Sequence, residues 1–185
     1  MTKARGGGDA AIDTALVARW ETGDERAATE LVARHAPALA RFVAASGGRE
    51  DVDEVVQDAF VRAFGAIESF RGESSFRTWL FSIARRLLLD RRRSVRRDPA
   101  HVPLGESDAT TGYGALDRLI ASETRGRLEE ALRRLTPTQR EVFALRVGEG
   151  LSHKEIAEVL GTSEGAARVH YHNAVRALKE RVDDE

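Results

Sequence analysis

Residues 151–180 read LSHKEIAEVLGTSEGAARVHYHNAVRALKE, and this stretch has the spacing of a helix-turn-helix. Such a motif needs a small residue where its helices cross, a residue free to adopt positive φ in the turn, and a cap for the second helix. Ala157, Gly161 and Ser163 stand at those places, and Ala167 supplies the apolar residue that packs back. The pattern predicts a helix-turn-helix; the alternative is a helical hairpin that serves structure alone.

The second helix of this motif divides into a buried side and an exposed side. Its apolar spacing places Ala167, Tyr171, Ala174, Leu178 and Val182 in the core. Arginine and asparagine side chains suit base edges in the major groove, which favours DNA binding by the other side. The residues expected on that exposed side are Arg168, Val169, His172, Asn173 and Arg176.

Upstream, residues 52–67 have the clearest helical period in the chain. Apolar residues recur at spacings of three and four, which is typical of a helix packed on one side. They are Val52, Val55, Val56, Ala59, Phe60, Ala63, Phe64 and Ile67, and the polar side carries Asp51, Glu54, Gln57, Asp58 and Arg62.

Two weaker helices precede this one. Asp9 or Asp13 is expected to cap the first, Gly23 to end it, and Asp24 to cap the second, in which Pro37 should cause a kink or a restart. The first helix is expected to keep apolar spacing through Ile12, Ala15, Leu16 and Trp20.

A loop at residues 70–74 leads into a fourth helix that Ser74 or Ser75 caps. Core packing is expected for Phe76, Trp79 is open between core and base stacking, and Phe70 is expected to lie free in the loop. The buried side of this helix is expected to carry Phe76, Trp79, Leu80, Ile83, Ala84 and Leu87.

The fourth helix ends in a strongly basic run, which should project beyond the core. A charge run is usually a solvated helix end, but seven arginines with Asp90 alone favour contact with phosphates. The seven are Arg85, Arg86, Arg91, Arg92, Arg93, Arg96 and Arg97.

The composition and the breaks in periodicity indicate an all-α protein of two small helical domains. Residues 98–115 contain Pro, Gly and three acidic residues without any Lys or Arg, as expected of a flexible linker. After it, Thr136-Pro137 is expected to begin a helix that ends at residues 148–150. The predicted organisation is a tail at 1–10, domains at 11–97 and 116–185, and the linker at 98–115.

Several functional classes have no support in the sequence. The 185 residues contain no cysteine, and no apolar run reaches the length of a membrane span. His170 and His172 are two residues apart and should point to different sides of a helix, which makes a poor metal pair. We therefore expect a cytoplasmic protein without enzyme activity, cofactor or metal.

Two blocks of the chain resemble the extracytoplasmic-function (ECF) sigma factors of bacterial RNA polymerase. They are DVDEVVQDAFVRAFGAIESFRGESSFRTWLFSIARRLLLDRRR at 51–93 and LRRLTPTQREVFALRVGEGLSHKEIAEVLGTSEGAARVHYHNAVRALKE at 132–180. The resemblance implies a transcription initiation factor with one domain for the −10 promoter element and one for the −35 element. It also implies binding to the β′ clamp helices and β flap of core polymerase, and sequestration by an anti-sigma factor.

The resemblance assigns roles to individual residues. Promoter melting and the −10 element fall to Phe70, Arg71, Gly72, Glu73, Ser74, Trp79 and Arg86, and the −35 element to Arg168, Val169, His172, Asn173 and Arg176. Contacts with DNA phosphates fall to Arg85, Arg92, Arg93 and Arg96, and contacts with core polymerase to Glu54, Gln57, Asp58 and Arg62. The acidic linker would thread the RNA path of the polymerase.

The chain departs from the family pattern at three positions. The family often has asparagine where Arg86 stands, and arginine where His170 and Asn173 stand. Since asparagine suits adenine and arginine suits guanine, the preferred −35 sequence is expected to differ from the common one. Two alternatives are a sigma mimic that sequesters an anti-sigma factor and an ordinary helix-turn-helix repressor. The mimic would not need the basic residues, and the repressor would not need residues 51–93.

Overall fold

A computed structural model describes residues 5–47, 51–97 and 130–182, and confirms the predicted all-α fold there. The proposed linker and the start of the proposed second domain lie outside these ranges. The elements are α1 Arg5–Glu21, α2 Glu25–Ala45, α3 Val52–Gly65, a 3₁₀ turn Ile67–Ser69, α4 Phe76–Arg97, α5 Pro137–Phe143, a π-helical turn Ala144–Gly148, α6 His153–Leu160 and α7 Glu164–Val182.

Helix α1 begins earlier than its sequence indicates. It starts at Arg5, so the expectation that Asp9 or Asp13 caps it is wrong. Asp13 instead lies in the middle of the helix, and its side chain is buried in the core. Ile12, expected on the apolar side, is exposed. Two basic residues of α2 contact the Asp13 carboxylate and compensate for its burial. Gly23 follows the helix with φ of +91°, which is the left-handed conformation that glycine tolerates.

Side-chain caps at two helix starts confirm the sequence reading. Asp24 has an extended backbone and accepts a hydrogen bond from the backbone N–H of Arg26 at 3.0 Å. Thr136 and Gln139 form a reciprocal capping box in front of Pro137. Helix α2 continues through Pro37 from Glu25 to Ala45, so Pro37 does not restart it.

The first four helices form one packed group around the apolar side of α3. Val55, Ala59, Phe60, Ala63 and Ile67 are buried, as their spacing predicts. These five belong to the eight apolar residues predicted for one side of α3, which we call the α3 stripe. The other three are partly buried against the same core: Val52, Val56 and Phe64.

Helix α4 is buried on a wider arc than a single stripe. Phe76, Leu80, Ala84 and Leu87 are buried as predicted, but Phe81 and Leu88 are buried as well. The wider burial follows from the position of α4, which packs against α3 and α2 and also against α6 of the C-terminal group. The expectation that the basic run projects beyond the core is therefore wrong for Arg85 and Arg92, which are half-buried, while Arg86 and Arg93 are exposed.

Helices α5, α6 and α7 form the second packed group, with Val142, Leu145, Ile156 and Ala167 at its centre. A continuous cluster of buried apolar side chains joins it to the first group. Within the described ranges, no helix is long and apolar enough to cross a membrane. The same ranges contain no group of three or more His, Asp or Glu residues that could hold a metal ion.

A buried polar cluster ties α1 to α2. Asp13 Oδ1 accepts a hydrogen bond from Arg34 Nε at 3.0 Å, and Asp13 Oδ2 lies 2.9 Å from His35 Nε2. Burial alone would raise the pKa of Asp13, but the hydrogen bonds and charges of His35 and Arg34 outweigh it and leave the pKa below its usual value. The carboxylate therefore stabilises the fold in its charged form.

Replacing Asp13 with asparagine is expected to lower the free energy of unfolding at neutral pH by about 1–3 kcal/mol, since Arg34 and His35 lose a charged partner. A carboxylate with a lowered pKa stabilises the native state above its unfolded pKa, and this contribution disappears as the pH falls through the folded value. Urea unfolding from neutral to acidic pH should thus show the gap between wild type and Asp13→Asn closing in acid. Glu21→Gln, which changes an exposed acid at the end of the same helix, is the matched control; an equal loss there would contradict the prediction.

Candidate nucleic-acid interface

The helix-turn-helix has the geometry that its sequence predicts. Ser152 and Glu155 cap α6 reciprocally, and Gly161 ends it in the left-handed conformation with φ of 61°. Ser163 Oγ accepts a hydrogen bond from the backbone N–H of Ala166 at 3.1 Å, which caps α7. Ala157 and Ala167 are both buried, so the two helices cross closely. The turn therefore holds α7 at a fixed angle to α6.

The outer side of α7 is free for a ligand. Arg168, Val169, His172 and Arg176 are exposed and Asn173 is half-buried. Val169 is 57% exposed and places an apolar group among these polar side chains. Among the described residues, Arg168 and Arg176 pair with acids on their own helix, Glu164 at 3.0 Å and Glu180 at 3.7 Å. Such exposed pairs are weak and leave both guanidinium groups available.

The loop at 70–74 is supported by an aromatic cluster. Phe70 packs on Trp79 and Phe76, with ring centroids 5.1 Å and 6.0 Å apart, so the expectation that Phe70 lies free is wrong. Apolar contact with the start of α4 explains the position of Phe70, because a ring exposed to water would lose the free energy gained by burying its apolar surface. Phe76 is buried as expected, and Trp79 is half-buried and keeps part of its surface accessible.

The rest of this loop is polar and open. Arg71, Gly72 and Glu73 are exposed and Ser74 is half-buried. Gly72 has φ of +69°, a conformation that a side chain would strain. Ser75, one of the two expected caps, accepts a hydrogen bond from the backbone N–H of Thr78 at 3.1 Å. The loop thus presents polar groups beside a half-exposed indole.

The polar side of α3 faces away from the core. Glu54, Gln57 and Arg62 are exposed and Asp58 is half-buried. Arg91 of α4 lies over the acidic members and donates hydrogen bonds to Glu54 at 2.8 Å and Asp58 at 3.1 Å. This side of α3 is therefore charged and held in place by α4.

The arginines of α4 have different surroundings. Arg86 is exposed, Arg93 lies 3.5 Å from Asp90 and is exposed, and the side chain of Arg96 lies outside the described residues. Arg85 and Arg92 instead turn towards the C-terminal group, where both contact Glu141. The sequence alone missed these contacts.

Buried ionisable residues were the part of the molecule that the sequence reading missed, although a signal for them exists. Glu141 precedes Leu145 by four residues, Asp13 precedes Leu16 by three, and His35 follows Leu31 by four. Each therefore lies on the apolar side of its helix. A charged residue at such a position must find a partner, which predicts a buried ion pair without saying where the partner is.

Comparison with known proteins places these features in a family. The model of sigma-70 region 2 matches residues 31–98, and that of sigma-70 region 4 matches residues 125–178. An ECF RNA polymerase sigma-E factor of Haemophilus influenzae is 31% identical over 92% of this chain and 95% of its own length. The chain belongs to the ECF sigma factors. It is a transcription initiation factor.

Other relatives of this sigma factor agree in extent and fold. The RNA polymerase sigma factor NccH of Alcaligenes xylosoxydans is 35% identical over 85% of this chain and 88% of its own. The solved structure of CnrH in complex with the cytosolic domain of CnrY is 32% identical with a TM-score of 0.66, and covers 94% of this chain and 99% of that chain. The RpoE sigma factor of Bartonella quintana, solved with NepR, shares the fold with a TM-score of 0.67, 24% identity, and 84% and 96% coverage.

Proposed function

We propose that the outer side of α7 reads the −35 element in the major groove. The observation that supports this is the exposed set Arg168, Val169, His172 and Arg176, with Asn173 at its edge, on a helix that the Gly161 turn holds rigidly. Arginine and asparagine form paired hydrogen bonds with guanine and adenine, and the methyl groups of Val169 suit the methyl group of thymine. The domain that carries them is proposed to span residues 116–185.

The loop Phe70–Ser74, with Trp79 and Arg86, binds the non-template strand of the −10 element in the domain at 11–97. Base extrusion costs stacking energy, and stacking on an aromatic side chain returns about 1–3 kcal/mol per base. The accessible part of Trp79 provides that platform, while Phe70 supports it from beneath. Arg71, Glu73 and Ser74 supply polar contacts, and Arg85, Arg92, Arg93 and Arg96 the contacts with DNA phosphates.

The polar side of α3 docks on the β′ clamp helices of core polymerase, and the C-terminal domain on the β flap. Glu54, Gln57, Asp58 and Arg62 form the first contact, next to Val61, which is 64% exposed. An exposed valine among charged residues fits an interface with a small apolar centre and a polar rim. The linker at 98–115 follows the RNA path.

Reversing the charge of Arg62 tests this docking surface. Arg62→Glu is expected to weaken retention by core polymerase at least about tenfold, since an interfacial charge that meets its own sign costs more than about 1.4 kcal/mol. Size-exclusion chromatography and fluorescence titration of labelled protein with core polymerase would measure it. Arg26→Glu is the control, because Arg26 is equally exposed but lies at the start of α2. Equal losses in both variants would mean that net charge, and not this surface, governs binding.

The setting of this function follows from its partners. The protein acts in the cytoplasm, where polymerase and promoters are, and it has no catalytic activity of its own. The solved relative CnrH is bound to the cytosolic domain of CnrY, and we extend this by similarity to an anti-sigma factor for this chain. Since the chain has no cysteine, a redox signal would have to be sensed by that partner.

The deciding experiment is run-off transcription with core polymerase and a library of promoters. Wild-type protein should direct transcripts from defined start sites that are absent with core polymerase alone. A sigma mimic would bind an anti-sigma factor without producing transcripts, and a repressor would bind duplex DNA without polymerase. The absence of both polymerase binding and transcripts would reject the proposal.

A further inference from the structure

A buried carboxylate on α5 joins the two helical groups. Glu141 is 1% exposed, and it accepts hydrogen bonds from Arg85 Nε at 3.0 Å and from Arg92 Nη1 at 3.3 Å. The same arginines donate to backbone carbonyls at the boundary, Arg85 to Leu160 at 3.1 Å and Arg92 to Ser46. Glu141 therefore has both its oxygens on the basic end of α4.

A second carboxylate repeats this arrangement at the other end of the boundary. Glu149 follows the π-helical turn and is also buried. It accepts two hydrogen bonds from Arg41 of α2, at 2.9 and 3.1 Å, and one from Arg77 of α4 at 2.6 Å. The two-pronged contact with Arg41 is the geometry in which a guanidinium holds a carboxylate most strongly.

We propose that Glu141 and Glu149 form an intramolecular latch that holds the free sigma factor closed, in which Glu141 also occupies two arginines needed for DNA. This rests on the proposed function, since Arg85 and Arg92 are the residues assigned to DNA phosphates. A guanidinium that is bonded to Glu141 cannot at the same time bind a phosphate with the same N–H groups. The closed form therefore competes with promoter DNA through shared residues.

The chemistry of the latch makes it reversible. A buried carboxylate is stable only while its partners remain, so loss of one side exposes both charges to water and favours separation. A polyanion offers the arginines an equivalent partner and shifts the population to the open form. Arginines on an exposed surface, without a buried carboxylate as partner, would bind the polyanion without this competition.

The absence of cysteine allows the separation to be measured directly. Ala33→Cys on α2 and Lys179→Cys on α7 are both exposed sites that permit a spin label on each group. Double electron-electron resonance should give one short distance between the two spin labels in the otherwise wild-type chain. In Glu141→Gln plus Glu149→Gln, the distances should be longer and more broadly distributed. Arg41→Gln should open the protein in part, and it removes no residue assigned to DNA or polymerase. Addition of a promoter duplex should shift the wild-type distance in the same direction.

Glu130→Gln plus Glu158→Gln is the matched control, because both are exposed acids of the same domain and the pair loses the same two charges. Circular dichroism would establish that each variant is folded. An unchanged distance in the folded variant Glu141→Gln plus Glu149→Gln would overturn the latch, as would an equal change in the control Glu130→Gln plus Glu158→Gln.

Affinity for a promoter duplex separates this inference from the proposed function. If closed molecules make up nine-tenths of the population, opening raises the apparent affinity about tenfold. Arg41→Gln should therefore bind the duplex more tightly than wild type, and Arg85→Gln in the Glu149→Gln background should bind less tightly than Glu149→Gln alone. If Arg85→Gln does not weaken binding in the Glu149→Gln background, Arg85 has no phosphate role. The latch is then judged from the measured distances alone.

Discussion

Replacing Phe76 with alanine is expected to lower the free energy of unfolding by about 3–5 kcal/mol, which is the usual cost of removing a buried phenyl ring. Phe76 is 2% exposed and contacts Phe70, Trp79 and His35, with ring centroids 5.5 to 6.0 Å apart. Loss of the ring leaves a cavity directly beneath the loop at 70–74. Urea unfolding followed by circular dichroism would measure the change in stability.

The same substitution is expected to impair promoter opening beyond its effect on stability. Phe60→Ala is the matched control, since Phe60 is buried in the same domain but stacks on Phe64, away from the loop. Fluorescence of 2-aminopurine at −10 positions, measured where both variants are folded, reports base extrusion. We expect a much larger loss of signal for Phe76→Ala than for Phe60→Ala. Equal losses would show that the aromatic cluster serves only the core.

Local patterns account for the parts of the fold that the sequence predicts well. The α3 stripe has eight apolar residues on one helical period, and all of them lie in or against the core. The turn at Gly161 and the caps at Asp24 and Thr136 depend on interactions within a few residues. Such short-range determinants are visible in the sequence because both partners lie in one window.

Contacts between distant segments are the part that the sequence does not predict. Phe70 looks free when only its loop is considered, but the start of α4 folds back onto it. Arg85 and Arg92 look like a solvated end because Glu141 lies about fifty residues further along the chain. Periodicity identifies which side of a helix is buried but not what covers it. The partner of a buried charge can be found only once the helices are placed.

Removing Arg168 and Arg176 together is expected to cause the largest loss in −35 recognition. A side chain that bonds a base edge contributes about 1–3 kcal/mol, so the double alanine variant should lose most of the discrimination between the preferred duplex and a random one. The pairs that these residues give up, with Glu164 and Glu180, are exposed and worth little. Helix stability is therefore not expected to explain the loss.

Anisotropy titrations at two salt concentrations separate a base contact from a phosphate contact. A base contact changes the ratio between preferred and random duplex, whereas a phosphate contact weakens both equally and reduces the dependence on salt. Lys179→Ala is the control, because Lys179 is an exposed cation near the end of the same helix. The preferred duplex comes from selection among random sequences, in which His170 and Asn173 should shift the −35 preference away from the common family motif. If the double variant keeps its discrimination, α7 binds DNA through phosphates alone, and the base-reading role assigned to its outer side is wrong.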